Sequence, residues 1–248
     1  MIDLFELERY CNGLLDSGSF DDYCPNGLQL DADNREIRRL ASAVTASLSA
    51  VEMAVEQGCD LLLVHHGYFW RGEPAPLTGV KGRRVRALIR GGVSLLAYHL
   101  PLDAHPELGN NRCLGDLLGM QDSTPLADSL VWQGELLAEP LQAFARRLEG
   151  VLERAPLVIS GGDHPVRRVG WCTGAAQSAI QEAARAGLDT FVSGEISETT
   201  THLARELGIH YLAAGHHASE RYGVQALGRH LAEKFDLEHR FLDDPNPV

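Results

Sequence analysis

Two adjacent histidines, His65 and His66, end a run of four aliphatic residues in the stretch LLLVHHGYFW, residues 61 to 70. Side chains of neighbouring strand residues point to opposite faces of a sheet, so both imidazoles can serve one site only where the strand ends and the backbone turns. Gly67 offers the freedom for that turn. Two imidazoles withdrawn from water at one strand end suit a bound transition metal, and we therefore expect a metal site here.

Further histidines and carboxylates follow other predicted strands, in the segments HLPLD, SGE and GHHASE. Open parallel sheets bind ligands beyond the carboxyl ends of their strands, which is where these segments fall. They add Asp103, His216 and Glu220 to the two histidines of the first stretch. A catalytic zinc takes three protein ligands and a water. Five donors instead suit two divalent ions about 3.5–4 Å apart, which share a bridging carboxylate and a bound water of lowered pKa. The donors leave the metal open among Zn, Fe, Mn, Ni and Co.

Glu220 is the predicted bridge between the two ions. It lies four residues after His216, so a helix that starts here places both side chains on one face and directs His217 away. Two divalent ions at this spacing repel each other strongly, while Asp103 supplies one negative charge and the imidazoles supply none. A second carboxylate offsets this repulsion. Glu220, together with a metal-bound hydroxide, is therefore the predicted catalytic group, and Glu195 of SGE is the next candidate for the bridge.

Each of these residues has a structural alternative. Asp103 is also placed to cap a helix or a turn, and Glu220 is also placed as a first-turn charge favoured by the helix dipole. Only their combination with the histidine pair indicates a site. His99 and Glu195 are candidates to orient a metal-binding side chain through a hydrogen bond, without binding the metal themselves. A lone histidine near a strand end is more often a structural group, and this interpretation is favoured for His99 as well as for His105, His164, His202, His210, His217, His230 and His239.

Three other segments keep two interpretations. YCPNGLQL, residues 23–30, contains a Pro-Asn-Gly turn signal, and a turn is favoured over a ligand-binding loop. For Tyr68, Phe69 and Trp70, packing at a subunit contact is favoured over stacking on a base. HPELGNN, residues 105–111, either lines the site or caps a helix.

The elements that must position these residues alternate along almost the whole chain. IRRLASAVTA, CDLLLVHH and VSLLAYH are predicted strands, and SLSAVEMAVEQG and RRVRALIRGG are the helices between them. Short, continuously apolar strands separated by helices predict an α/β fold with a largely parallel sheet covered on both faces.

The second half of the chain repeats the first. Residues 169–195 follow the course of residues 40–66, with Asp60 matching Asp189. We predict two related α/β halves, residues 1–125 and 126–248, that face each other across a metal-binding cleft. A link at about residues 122–165 is richer in Pro and Gly and carries one helix of its own, EPLQAFARRLEG.

Composition narrows the class of protein. With 248 residues, 44% hydrophobic and 23% charged, the chain resembles an ordinary soluble globular protein. Its net charge of −12 opposes tight binding to a nucleic-acid backbone. Five scattered cysteines without a CxxC pair predict reduced thiols and a cytoplasmic location. No apolar run approaches the roughly 20 residues that span a bilayer, and the N-terminus lacks the pattern of a signal peptide, so no membrane partner is expected.

At these segments the sequence resembles the YbgI-like, NIF-three-like family of dinuclear metal proteins, whose members are known as GTP cyclohydrolase I type 2 homologues. The shared motifs are YCPNGLQL, VTAS, LLLVHHGYFW, YHLPLDAHPELGNN, SGEISE and AAGHHASE, spread over residues 23 to 220. The resemblance implies two-domain α/β subunits in a toroidal homohexamer, with two divalent metal ions per subunit facing the interior. It also implies that His66 and Asp103 hold one ion, that His65 and His216 hold the other, and that Glu220 holds both.

Three functions follow as hypotheses. The first is a metal-dependent hydrolase acting on a nucleotide-like substrate, with GTP as the substrate that the resemblance implies. The second is a metal-binding or metal-delivery protein that turns nothing over. The third is a toroidal protein that interacts with nucleic acid, which the acidic charge balance disfavours.

Overall fold

The computed structural model describes residues 1–127 and 129–248 as a mixed α/β protein that divides into two compact units. Unit one comprises residues 1–109 and 223–245, and unit two comprises residues 110–222 and 246–248. This division differs from the boundary predicted between residues 125 and 126. The reason is that most of the last helix and the last strand of the chain return to the unit in which the chain began.

Unit one contains seven strands and five helices among the described residues. Their bounds are β1 (Ile2–Asp3), α1 (Leu4–Leu14), β2 (Gly27–Leu30), β3 (Glu36–Ile37), β4 (Arg39–Thr45), α2 (Leu48–Glu56), β5 (Leu61–His66), α3 (Gly79–Gly91), β6 (Ser94–Ala97), α4 (Leu100–Ala104) and, after unit two, α10 (Arg221–Phe235) and β13 (Glu238–Phe241). Helix α10 begins two residues before the chain re-enters unit one.

The main sheet of unit one has the strand order β13-β4-β5-β6-β2. Its first four strands are parallel neighbours, whereas β2 pairs with β6 in the antiparallel direction. Alternate residues of β5 enter different cores: Leu61 and Leu63 lie in one hydrophobic cluster, Leu62 and Val64 in the other. The predicted parallel sheet covered on both faces is therefore present, with one antiparallel edge strand added.

Unit two contains the remaining elements. Their bounds are α5 (Asn110–Leu118), β7 (Gln121–Pro125), β8 (Trp132–Glu139), α6 (Leu141–Leu152), β9 (Leu157–Ile159), β10 (Val166–Cys172), α7 (Ile180–Arg185), β11 (Thr190–Ser193), α8 (Glu198–Leu207), β12 (His210–Ala213) and α9 (His216–Ser219). The strand order is β7-β8-β10-β11-β12-β9, with a parallel centre of β10, β11 and β12 and antiparallel strands outside it. The predicted linking helix is α6.

The two units repeat one strand–helix–strand–helix–strand run. In unit one it is β4-α2-β5-α3-β6, and in unit two it is β10-α7-β11-α8-β12. In both runs the three strands are parallel and neighbour each other in chain order. The topology therefore agrees with the repeat read from the sequence. The segment around residues 122–165 adds antiparallel strands on either side of the parallel centre of the second sheet.

Local sequence signals explain where several helices begin. The Asp3 carboxylate accepts the amide hydrogens of Phe5 and Glu6 at the start of α1, and the Ser47 hydroxyl accepts that of Ala50 at the start of α2. Such caps satisfy amide groups that have no partner within the helix. Helices α1 and α2 therefore start where the sequence supplies a short polar side chain.

Among the helices of the described residues, none is both long enough and apolar enough to cross a membrane.

Candidate metal centre

The two histidines at the end of β5 lie side by side in unit one. His65 is fully buried and His66 is partly exposed, yet their ring centroids are only 4.6 Å apart. Together with His99, each ring offers a nitrogen that lies within 4.8 Å of the other two. The end of the strand therefore gathers three imidazoles at one place, although neighbouring side chains within a strand diverge.

Gly67 has a different purpose from the predicted one. Its φ is not in the left-handed region, so the residue is not required for an unusual turn. A Cβ at this position would overlap the Gln29 side-chain oxygen and the Ala97 methyl group. That oxygen of Gln29 accepts the amide hydrogen of Tyr68 at 2.7 Å. Glycine is therefore needed for space, because the segment YCPNGLQL packs its glutamine against the histidine strand.

The ring of His65 has one nitrogen committed to the backbone. Nδ1 lies 3.0 Å from the carbonyl oxygen of Tyr98. A carbonyl only accepts, so Nδ1 carries the hydrogen and the neutral ring keeps its lone pair on Nε2. Nε2 lies 3.5 Å from Oδ1 of Asp103, whose side chain α4 holds almost fully buried. The backbone thus orients His65 so that Nε2, the nitrogen with the lone pair, lies beside a carboxylate.

His99 has a carboxylate partner that the sequence did not reveal. Its Nδ1 lies 2.7 Å from Oδ1 of Asp22, while the other Asp22 oxygen accepts hydrogen bonds from the Leu100 amide and from Asn26. Burial alone would raise the pKa of Asp22, but the hydrogen bonds from His99 and Asn26 lower it to about 2. The dyad explains how His99 is held beside His65, with ring centroids 5.0 Å apart.

Cys24 lies close enough to Asp22 and His99 for the three to hold a metal ion. However, burial and the charge of Asp22 raise the pKa of the Cys24 thiol to about 12. Metals bind the thiolate, so this raised pKa disfavours Cys24 as a ligand in the metal-free protein. We assign the group as a hydrogen-bonded support for His99.

In unit two, His216 and Glu220 lie one helical turn apart. His216 opens α9, and Glu220 occupies the break between α9 and α10. Nε2 of His216 lies 3.2 Å from Oε2 of Glu220, and the Glu220 side chain is only 3% exposed. On the other side of the ring, Nδ1 lies 2.7 Å from Oε1 of Glu195. A carboxylate accepts, so Glu195 fixes the hydrogen on Nδ1 and leaves Nε2 facing Glu220.

Gly174 makes room for the Glu220 carboxylate. A Cβ at Gly174, whose φ is +69°, would overlap Oε1 of Glu220. The carbonyl oxygen of Gly174 accepts the Ser193 hydroxyl at 3.1 Å, and its amide donates to the Ser219 hydroxyl at 3.1 Å. The turn that follows β10 is therefore shaped around the buried glutamate, a function that no spacing pattern in the sequence indicated.

The charge state of His216 follows from its two carboxylate neighbours. Burial alone would lower its pKa, but the hydrogen bonds and charges of Glu220 and Glu195 outweigh burial and raise the pKa to about 9. The metal-free ring is therefore protonated at neutral pH. A metal ion at Nε2 would have to replace that proton.

The side chains of both units fit divalent metal ions. The donors of unit one, taken by itself, are His65, His66 and Asp103, and those of unit two are His216 and Glu220. Imidazole nitrogens and carboxylate oxygens together are donors for Zn, Fe, Mn, Ni and Co. Both carboxylates are also buried, at 6% exposure for Asp103 and 2% for Glu220, and buried charges in proteins are paired or coordinate metals.

Comparison with known proteins places this chain in a family. The family model for Duf34/NIF3 (NGG1p interacting factor 3) matches residues 2–247. The chain belongs to the Duf34/NIF3 family. The predicted family is thereby confirmed, and the match includes all the candidate ligands of both units.

Similar proteins of the Duf34/NIF3 family agree over their full length. A protein of Allochromatium vinosum named "GTP cyclohydrolase 1 type 2 homolog" is 53% identical over 100% of this chain and 98% of its own. The solved structure of protein ybgI, described as of unknown function, has a TM-score of 0.96 and 45% identity over 100% of both chains. A structure from Thermus thermophilus has a TM-score of 0.92 and 38% identity over 100% of both chains.

Proposed function

We propose that this Duf34/NIF3 chain is a metal-dependent hydrolase with two divalent ions per subunit and a nucleotide-like substrate. The observation that carries the proposal is a pair of matched arrangements. His65 in unit one and His216 in unit two each have Nδ1 committed to a fixed acceptor and Nε2 beside a buried carboxylate. Two histidines oriented in this way in one chain favour a role in metal binding over a purely structural role.

The proposed ligands are divided between the ions in the way that the family resemblance implies. In this division His66 and Asp103 would hold one ion, His65 and His216 would hold the other, and Glu220 would hold both. Divalent ions in such a pair act as Lewis acids and lower the pKa of a bound water towards neutral pH.

Other residues of the chain orient the candidate ligands and determine which ring nitrogens carry hydrogen. Tyr98 and Glu195 set the tautomers of His65 and His216. The Thr45 hydroxyl lies 3.1 Å from Nδ1 of His66, and Nε2 is the proposed ligand atom of that ring. The Asp22–His99 dyad places a third imidazole beside the first two, with its hydrogen held at Nδ1. These partners matter because groups behind the ligands tune affinity and geometry.

The substrate class follows from the names of relatives, which refer to GTP cyclohydrolase. The test is turnover of a nucleotide panel that includes GTP, with protein of measured metal content. We expect hydrolysis by the metal-loaded chain and loss of at least a hundredfold in a His66→Ala variant. His202→Ala, which alters an exposed histidine on α8 paired with Glu198, is the matched control. Tight metal binding without turnover of any nucleotide would instead support a metal-delivery protein.

Assembly and location are part of the same proposal. We propose a homohexamer with the metal sites towards an internal space, as the resemblance implies, and light scattering at micromolar concentration tests it. We also propose a cytoplasmic location. The five cysteines are scattered along the chain and form no CxxC pair, which fits a reducing compartment.

A further inference from the structure

Three consecutive aromatic residues follow the histidine pair, and the structure gives them three different environments. Tyr68 is buried and donates its hydroxyl hydrogen to the carbonyl of Ala46. Phe69 is 36% exposed, with the Lys81 ammonium 5.5 Å from its ring centroid. Trp70 turns back towards the site: its ring centroid lies 4.9 Å from that of His99 and 5.9 Å from that of His66.

The position of Trp70 is enforced by a strained turn. Phe69 has a φ of +65°, a conformation that is costly for a bulky residue. One oxygen of Glu73 accepts the amide hydrogens of Phe69 at 2.8 Å and of Trp70 at 3.2 Å. The indole N–H donates to the carbonyl of Gly67 at 3.1 Å. The chain therefore sustains local strain to hold the indole beside the histidines.

A second aromatic ring meets the same imidazole. Tyr23 is 58% exposed, and its ring centroid lies 6.3 Å from that of His99 at an interplanar angle of 65°. The Arg71 guanidinium lies 5.9 Å from the Tyr23 ring centroid. Arg71 also forms an ion pair with Asp21 at 2.8 Å, but the Asp21 side chain is 92% exposed, so this pair is weak and can be exchanged.

Neither ring is a core residue. Within the described residues of unit one, Tyr23 and Trp70 lie outside both hydrophobic clusters. The ring plane of Trp70 instead lies at 55° to the ring plane of His66 and at 83° to that of His99. Aromatic side chains at partly exposed positions beside a polar site are suited to stack on the faces of planar ligands.

We propose that Tyr23 and Trp70 form a stacking subsite for the heterocyclic base of a nucleotide, with Arg71 placed to meet its phosphate groups. The inference rests on the proposed function, because it assigns the base-binding part of the same substrate. It reverses the interpretation that the sequence favoured for Trp70, a subunit contact. The reason is that Trp70 lies against candidate ligands, whereas Phe69 faces solvent within this unit.

The test is equilibrium binding by isothermal titration calorimetry with metal-loaded full-length protein. The probes are GTP and inorganic tripolyphosphate, which shares the phosphates and lacks the base. We expect Trp70→Leu and Tyr23→Leu each to weaken GTP binding about tenfold without changing tripolyphosphate binding. Trp70→Phe, which keeps an aromatic face, is expected to remain within about threefold of the parent. Phe69→Leu is the matched control and is expected to bind GTP like the parent.

Several results would overturn the subsite. They are GTP binding no tighter than tripolyphosphate, unchanged GTP affinity in both leucine variants, or a Trp70→Leu effect on oligomeric state alone. If Trp70→Leu loses metal, the Tyr23→Leu variant decides, because Tyr23 lies near the ring of His99, which is not among the five proposed ligands.

Failure of this inference is separable from failure of the proposed function. A chain that binds GTP through these rings without turnover refutes only the hydrolase, and a chain that hydrolyses GTP with an unchanged KM in both leucine variants refutes only the subsite.

Discussion

Asp60 and Asp189 occupy matching positions in the two units. Each directly precedes the second parallel strand of its sheet, β5 or β11. Each carboxylate accepts the backbone amide hydrogens of two consecutive arginines at the start of the first parallel strand, β4 or β10. The Asp60 oxygen lies 2.8 Å from the amides of residues 38 and 39. The Asp189 oxygens lie 2.7–3.2 Å from those of residues 167 and 168. A repeat recognised from sequence alone is thus also a repeat of hydrogen bonds.

Removing either carboxylate should destabilise its unit. We expect Asp60→Ala and Asp189→Ala each to lower the free energy of unfolding by about 2 kcal/mol, because two backbone amides lose a charged acceptor. Asp163→Ala, an exposed aspartate in unit two, should change it by less than about 0.5 kcal/mol. Urea denaturation measures all three. Equal effects for the three variants would show that these carboxylates are not structural.

Gly174→Ala should remove the space that holds Glu220. Gly119 has a similar φ, +71°, but an added Cβ there meets no atom within 4 Å. We expect Gly119→Ala to cost about 1 kcal/mol of stability through the backbone alone and to keep its metal. Gly174→Ala should cost more and lose metal, as measured by thermal unfolding and elemental analysis. Full metal content in Gly174→Ala would mean that Glu220 needs no such pocket.

Glu195 should set the metal affinity of His216 through Nδ1. We expect Glu195→Ala to weaken zinc binding about 10- to 100-fold in a chelator competition. Glu195→Gln should weaken it less, because an amide oxygen still accepts the Nδ1 hydrogen at this position. Glu198→Ala changes a neighbouring exposed glutamate and serves as the control. The idea fails if the alanine and glutamine variants of Glu195 bind zinc as tightly as the parent.

The stoichiometry of bound metal tests the proposed bridge. We expect Glu220→Ala to lose both ions during dialysis against a weak chelator, whereas His65→Ala should lose mainly one. The reason is that Glu220, as the proposed bridge, would bind both ions and add a second negative charge against their repulsion, whereas His65 would bind one ion. If Glu220→Ala retains two tightly bound ions, Glu220 is not the bridge and Glu195 is the next candidate.

His239 should make stability depend on pH in acid. Burial, with a smaller contribution from the charge of Arg229, lowers its pKa from 6.5 to about 4, and its Nε2 lies 2.8 Å from the Ser42 hydroxyl. Below pH 6.5 the unfolded chain takes up a proton that the folded state refuses, so stability falls as the pH drops from about 6.5 to about 4. His239→Gln should flatten this part of the profile in urea denaturation at stepped pH. An unchanged slope would exclude His239 as the source.

The sequence was sufficient to predict the alternating strands and helices at the centre of each sheet. The run from Leu61 to Val64 is continuously apolar because both faces of β5 are covered. The sequence was insufficient to predict the strands at the edges of the two sheets. Strand β7 is short and mostly exposed, so no period marks it. The return of β13 to β4 depends on packing between distant parts of the chain.

For the candidate site, the strand-end histidines were visible because their residue type is unusual after an apolar run. Their partners were harder to find. The acceptor for His65 is a backbone carbonyl, which every residue has and no pattern marks. Asp22 precedes a recognised motif but meets His99 only through the tertiary fold. Spacing along a chain indicates ligands on one element, whereas the groups that orient them come from other elements.

The return of the chain to unit one has a consequence for synthesis. A ribosome produces residues 1–109 before unit two, yet strand β13, at the edge of that unit's sheet, emerges only after residues 110–222. Nearly all of unit two, residues 110–222, is available earlier than that final strand. Domains generally fold as units during translation, so the half that is encoded first is the half that is completed last. Until then the free edge of β4 is a nascent-chain surface open to chaperones and to mispairing with neighbouring chains.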